Sequence, residues 1–269
     1  MSGEDGMRLL TLLSDFGSRS PYPAAMKAVV AARVEVRFLD ISHDVRRHDV
    51  REGAFLLASV APFCPAGTVH LAVVDPGVGT ARRPLVVASG GQCFVGPDNG
   101  LLLPAARRLG RPRAYRLDPA VALPSASSTF HGRDIFAPAA ARLLLGEPPA
   151  RLGRLVDDPV ELPAPRAERR GEELLGQVIY VDPFGNLVTN IPAELAAPHT
   201  AFTLRTTRGA WTLRLQATYG SGRLGELLLV PGSEGLLEVA LREGSAAART
   251  GLRAGSSLRL RPLRKGRKA

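Results

Sequence analysis

In the first half of the chain, short and almost wholly apolar runs alternate with segments of helical period. Residues 8–15 (Arg-Leu-Leu-Thr-Leu-Leu-Ser-Asp) hold one threonine among leucines and end in an acid. A run so short, apolar on both faces, predicts a strand covered on both sides, as in a parallel sheet. Similar runs recur at 34–41, 68–75 and 84–88. Between them, residues 23–33 are alanine-rich, with Met26, Val29 and Val30 on one side, which predicts a helix. A second helix is predicted over 49–61. It opens on Asp49-Val50-Arg51-Glu52, an acidic capping box, and stops at Pro62. A third, over 135–145, ends at Gly146 before Pro148 and Pro149. Strands and helices alternating at this spacing predict an α/β layer structure.

Beyond residue 157 the pattern changes. A stretch rich in proline and charge, 157–173, includes Pro163-Ala164-Pro165-Arg166 and reads as a domain boundary. After it come short strand-like runs at 177–182, 200–206, 210–216, 224–230, 236–241 and 257–263, separated by glycine-rich turns, with one short helix near 245–250. Repeated short strands of this kind predict a small sandwich or barrel. The expected organisation is an α/β N-terminal domain with a mainly parallel sheet over 1–160, a linker over 161–173, and a smaller all-β, barrel-like domain over 174–269 carrying a basic tail.

Composition narrows the function classes. The apolar runs are far too short to span a bilayer, and the acidic start of the chain (Met1-Ser2-Gly3-Glu4-Asp5) carries no apolar signal core. Cys64 and Cys93 show neither metal nor redox spacing, so reduced thiols and a cytoplasmic location are expected, with no membrane partner. The net charge of +10 invites a nucleic-acid reading. However, Arg259, Arg261, Arg264, Lys265, Arg267 and Lys268 supply six of those charges from the last eleven residues, without an aromatic among them. A general arginine bias and a solvated tail account for the balance better than a nucleic-acid stripe.

Two stretches concentrate candidate chemistry: Val73-Val74-Asp75-Pro76-Gly77-Val78-Gly79-Thr80-Ala81-Arg82-Arg83 and Thr129-Phe130-His131-Gly132-Arg133-Asp134. Together they supply a carboxylate, a guanidinium and an imidazole, enough to orient a water nucleophile, so hydrolysis or group transfer leads. In an α/β sheet, sites gather where strands end at their carboxyl side. Asp15, Asp75, Asp98 with Asn99, and His131 could converge on such a rim. The glycines after Asp75 lack both the dinucleotide pattern and the lysine of a triphosphate loop, so they are expected to serve the turn or close backbone approach. Arg133-Asp134 reads as a local ion pair or a helix cap. His43 and His48 show no ligand spacing, so no metal site is expected; His70 and His199 receive no role.

In their order along the chain, Ser14-Asp15-Phe16-Gly17, Met26-Lys27, the 74–82 loop, Gly96-Pro97-Asp98-Asn99-Gly100, Phe130-His131-Gly132-Arg133-Asp134, Asp182-Pro183-Phe184-Gly185-Asn186, Thr189-Asn190-Ile191-Pro192 and Ser233-Glu234-Gly235 resemble the S-adenosyl-L-methionine hydroxide adenosyltransferases, relatives of fluorinase and chlorinase. The resemblance implies an N-terminal α/β domain, a C-terminal β-barrel-like domain, and a homotrimer whose active sites lie between subunits. It implies catalytic roles for Asp75, Arg82 and His131, where the halogenases carry tyrosines in place of the acid and the imidazole. It further implies that Asp15 holds the ribose hydroxyls, that Phe130 and Gly132 adjoin the substrate, that Asp182 and Ser233 bind the methionine end, and that Asn186 and Phe184 serve the adenine. Relatives usually carry an aspartate where Ser20 stands. The implied reaction is attack of water-derived hydroxide on the ribose 5′ carbon of S-adenosylmethionine, without metal or organic cofactor. Its rivals are a halogenase of the same fold and a non-catalytic sensor of S-adenosylmethionine or adenosine.

Overall fold

The computed structural model describes residues 8–163 and 166–263. The chain divides into two compact units, the first ending at Leu162 and the second starting at Pro163.

The first unit is built on strands β1 (Leu9–Ser14), β2 (Arg37–Ser42), β3 (Val69–Val73), β4 (Pro84–Ser89), β5 (Gln92–Pro97), β6 (Arg113–Leu117) and β7 (Gly153–Val156), in the order β2-β1-β3-β5-β4-β6-β7. The four strands β2, β1, β3 and β5 run parallel, and β4, β6 and β7 extend the sheet antiparallel. Helices α1 (Tyr22–Ala31) and α4 (Ala137–Leu144) cover one face; α2 (Val50–Val60) and α3 (Leu103–Leu109) cover the other. A one-turn α5 (Pro149–Leu152) leads into β7. Alternation along β1 explains the two cores: Leu10 and Leu12 pack with Met26, Val30 and Phe136, while Leu13 packs with Ala54, Leu57 and Leu101.

The parallel half holds the carboxyl ends that matter. In register, Ser14 of β1 stands beside Val73 of β3. The chain therefore leaves both strands at the same rim, placing Asp15 and Asp75 there. Helix α2 starts as expected, Asp49 accepting the Glu52 N–H at 3.0 Å. The reciprocal half of the capping box is not made; the Glu52 carboxylate instead accepts from the Arg46 Nε at 2.5 Å.

Some expectations need correction. In place of the doubly covered strand expected over residues 34–41, β2 is the sheet edge and largely exposed. The run 84–88 is a strand but an antiparallel one. Gly90 and Gly91, at φ 54° and 76°, turn β4 tightly back into β5, the left-handed pair that such a hairpin demands. β6 and β7 were not foreseen: Arg113, Arg116 and Arg154 interrupt their apolar pattern.

The second unit comprises β8 (Glu168–Arg170), β9 (Glu173–Val181), β10 (Leu187–Pro192), β11 (Ala201–Thr206), β12 (Gly209–Leu215), β13 (Leu227–Pro231), β14 (Leu236–Leu241) and β15 (Ser257–Pro262). The order β10-β14-β13-β12-β11-β15-β9 closes through a β9–β10 pairing into a seven-stranded barrel, with β8 flanking β9 outside it. Inward residues such as Leu174, Phe202, Leu213, Leu229, Val239 and Leu260 fill it. The short α-helix α6 (Ala246–Thr250) is capped by Ser245, whose Oγ accepts the Ala248 N–H at 3.0 Å, and ends at Gly251 with φ 73°. The stretch 161–173, expected as linker, thus contains the strand β8 and the first residue of β9. Arg259 and Arg261, counted with the basic tail, belong to β15; residues 264–269 of that tail lie outside the described residues.

Candidate active site

Asp75 lies two residues past β3. The loop after it folds back on itself, Val78 N–H donating to the Asp75 carbonyl and Thr80 N–H to that of Gly77. Gly79, at φ 75°, lets this loop lie against the Ser128 carbonyl, which a Cβ would approach to 2.9 Å. Gly77 leaves room for the returning Arg82, whose Cγ would stand 3.2 Å from a Cβ there. The result is a clasp. Arg82 Nε donates to both Asp75 oxygens at 3.0 Å, and Nη2 donates to Oδ2 at 2.5 Å and to His131 Nδ1 at 2.7 Å. The guanidinium lies 5.1 Å from the Phe136 ring centroid, and the Arg82 and Asp75 side chains are only 10% and 5% exposed.

This arrangement fixes a tautomer. A guanidinium only donates, so His131 Nδ1 accepts, and the neutral ring carries its proton on Nε2. Burial lowers the His131 pKa from the ordinary value, and the Arg82 charge lowers it further against the opposing pull of Asp75 and Asp134. The neutral form is therefore favoured.

His131 is held by a local departure from α-helical geometry. A single π-turn, Gly132–Phe136, precedes α4. Pro138 has no N–H to return to the Asp134 carbonyl, which accepts from Leu123 N–H at 2.8 Å instead. The Asp134 carboxylate is buried. Arg133 reaches it at 2.6 and 2.9 Å, forming the expected local pair, and Ser127 N–H donates to it at 2.8 Å.

A cavity of about 320 Å³ opens at this rim, lined among others by Asp15, Asp75, Phe130, His131 and Gly132. Arg82 is not part of the lining; it stands behind Asp75 and His131 and joins them. Asp15 Oδ2 accepts the His48 N–H at 2.8 Å, and His48 adopts φ 63°, an unusual conformation for a non-glycine residue. Phe16, Tyr22 and Phe130 meet edge to face with centroids 5.2–5.9 Å apart. Asp98, expected at this rim, is not in the lining. It is buried against Arg83 at 2.6 Å and accepts the Val160 N–H, a structural ion pair. Asn99 contributes indirectly, holding the Val74 carbonyl at 2.8 Å just before Asp75. Ser20 also stays outside the lining, its hydroxyl donating to the Gly17 carbonyl.

The other expected substrate residues belong to the second unit. Asp182, Phe184 and Asn186 form the β9–β10 turn. Both Asp182 oxygens accept from Asn186, its N–H and its Nδ2, each at 2.8 Å, and the Phe184 side chain is 80% exposed. Ser233 is exposed in the β13–β14 turn. Glu238 lies near both turns. Its carboxylate accepts the Tyr219 hydroxyl at 2.6 Å, and a Cβ on Gly232 would come within 2.1 Å of its Oε1. Burial raises the Glu238 pKa, and the Asp182 charge adds to the rise.

Residues 10–153 match the model of the SAM hydroxide adenosyltransferase N-terminal domain, and residues 176–259 that of the C-terminal domain. The chain belongs to the SAM hydroxide adenosyltransferase family. It is 44% identical to the (R)-S-adenosyl-L-methionine hydrolase of Thermus thermophilus, over 94% of this chain and all of that one, and 42% identical to the protein of the same name from Salinispora tropica, over 93% and 97%. The fluorinase of Actinopolyspora mzabensis is 26% identical over 97% of this chain and 99% of its own. Among solved structures, an uncharacterised conserved protein from Thermotoga maritima superposes with a TM-score of 0.88 at 33% identity, covering 94% of this chain and 99% of that one.

Within this family framework, sequence reasoning missed Arg47, His48 and Tyr22 in the cavity wall, and the Tyr219–Glu238 pair. A lone tyrosine and a lone glutamate in a strand give no signal of their own; the Arg46-Arg47-His48 cluster before an N-cap was the one hint available. Among the described residues, no three His, Cys, Asp or Glu side chains group so as to hold a metal ion.

Proposed function

We propose that this chain hydrolyses S-adenosyl-L-methionine to adenosine and L-methionine, the sulfonium of (R) configuration being the epimer turned over. The observation that carries the reading is the Asp75–Arg82–His131 clasp, which presents one carboxylate and one imidazole to a cavity at the strand ends. A water molecule between them donates a hydrogen bond to Asp75 and accepts one from His131 Nε2–H. Its oxygen attacks the 5′ carbon as the carbon–sulfur bond breaks. That bond's electron pair returns to sulfur, so methionine leaves as a neutral thioether and no acid is needed at the leaving group. The proton of the water passes to Asp75. Arg82 fixes the relative position of the two facing groups, and its buried positive charge favours developing hydroxide. Asp15, with Phe130 and Gly132, holds the ribose side.

The enzyme works in the cytoplasm, consistent with two free thiols, and as a homotrimer. Asp182, Phe184, Asn186 and Ser233 of a neighbouring copy complete the site; an aromatic ring as exposed as that of Phe184 suits such a role.

Incubation of the purified protein with each sulfonium epimer in H₂¹⁸O, followed by chromatography and mass spectrometry, tests the reading. The expected product is adenosine with one labelled oxygen at the 5′ position. Unlabelled adenosine, or a 5′-halogenated nucleoside in the presence of halide, overturns it.

A further inference from the structure

A groove of about 460 Å³ crosses the outer wall of the barrel over β8, β9, β15 and β11, among residues that play no part in the chemistry above. Four arginines face it: Arg166, Arg170, Arg205 and Arg259. Strand register makes their placement specific. Arg259 of β15 stands opposite Leu175 of β9, which stands opposite Glu168 of β8. On the other side, Leu204 pairs with Leu260 and Thr203 with Arg261, which brings Arg205 opposite Arg259. Side chains directly opposed on antiparallel strands have Cβ atoms roughly 5 Å apart, and like charges there repel.

The carboxylates at hand relieve this repulsion only in part, since Glu173 is shared between Arg259 and Arg261 and Arg205 has no ion-pair partner among the described residues. Glu168 is engaged by Arg170 at 2.9 Å. Glu173 is engaged by Arg261 at 2.6 Å and lies 3.5 Å from the nearest Arg259 nitrogen. Neither Arg205 nor Arg166 has a carboxylate partner among the described residues. Gly176 is packed closely by Ile191 and Asn190 beneath the groove, and Gln177 and Ser257 are polar residues of the same wall. None of the lining residues is aromatic, so the groove offers no stacking surface for a nucleobase.

We infer that this groove is a binding site for a short phosphate chain, recognised by its oxygens through the opposed Arg205–Arg259 pair with Arg166 and Arg170 at its margins. Guanidinium groups suit this ligand because each donates two parallel N–H bonds to phosphate oxygens.

The test uses the full-length protein with inorganic tripolyphosphate as probe, in calorimetry at low and moderate salt, with orthophosphate and dodecathymidylate as comparisons. Tripolyphosphate is expected to bind with an affinity that falls as salt rises. Arg205→Gln combined with Arg259→Gln is expected to weaken it at least tenfold, whereas a chain ending at Leu263 retains it. Arg205→Glu adds a control that mere charge removal lacks. It should abolish binding while raising the melting temperature, because an opposed like pair becomes an ion pair. Release of adenosine from S-adenosylmethionine should be unchanged in all three proteins. Binding that survives the double substitution, that disappears on truncation at Leu263, or that favours dodecathymidylate over tripolyphosphate overturns the assignment.

Discussion

Because Arg82 only donates, its bond takes up the Nδ1 lone pair of His131, and the remaining ring nitrogen carries a proton. Under the proposed hydrolysis the division of labour is specific: Asp75 would take the proton and His131 would position the water. Asp75→Asn is expected to lower kcat by about 10²- to 10⁴-fold, the usual cost of losing a general base, with KM little changed. His131→Asn retains an acceptor toward Arg82 and an N–H, so it should keep measurable turnover while losing its titration. Burial and the Arg82 charge hold the His131 pKa below its ordinary 6.5, so the ring stays neutral and competent down to a pH below that value. In the wild type kcat/KM should therefore be flat above pH 6.5 and fall as acid protonates Nδ1 and breaks the bond to Arg82. An acid limb persisting unchanged in His131→Asn sinks this reading. At this scale the three groups that meet in the clasp were legible in the sequence. An acid after an apolar run, an arginine seven residues on, and a histidine before a helix are visible in one dimension. The backbone bond from His48 to Asp15 is not, since it depends on how two distant loops meet.

The site sits where elements end, and two of those ends have unusual backbone. The π-turn at Gly132–Phe136 aims His131 at the cavity, and Gly132 packs beneath it. A Cβ there would stand 2.9 Å from Met26 Sδ and 3.4–3.5 Å from the rings of Phe130 and Phe16. Gly132→Ala is expected to lower kcat/KM by roughly tenfold, as small displacements of a reacting group cost rate steeply. Met26 is flexible and fully buried, so Met26→Ala should make room, and the double variant should recover part of the lost kcat/KM. The two effects should be coupled by about 0.5–3 kcal/mol, as for residues in direct contact. Strict additivity in that cycle counts against the packing account. Element by element, the sequence was most informative where burial is two-sided. β1 and β3 were plain because both faces are covered, whereas β6 and β7 alternate arginine with apolar residues and were missed. The direction of β4 was decided by the two glycines at its end, a turn signal outweighed by the strand's apolar run.

Each of the two units has its own buried ionisable groups, and these respond to acid with opposite sign. In the first, His70 lies between Thr11 and Gln92, at 2.7 Å from each, and stacks on Phe94. Burial pushes its pKa down to about 4 from 6.5. The unfolded chain therefore binds a proton that the folded unit refuses, and stability contributed by the neutral ring is lost as pH falls from 6.5 toward 4. The full effect is of order 3 kcal/mol, at about 1.4 kcal/mol per pKa unit. In the barrel, Glu238 has its pKa raised by burial, so its charged form costs stability at neutral pH. That cost is relieved as pH falls through its raised pKa toward 4.5. Between pH 7 and 4.5 the β1 and β3 amides should accordingly lose hydrogen-exchange protection earlier than those of β13 and β14. Trp211, the single tryptophan, lies in β12 and reports the barrel by fluorescence, which should melt later than the exchange signal of the first sheet at acid pH. His70→Gln keeps hydrogen-bonding groups for Thr11 and Gln92 but cannot titrate, so it should narrow the acid gap between the two units. If the gap is the same in that variant, the imbalance has another source than the buried imidazole.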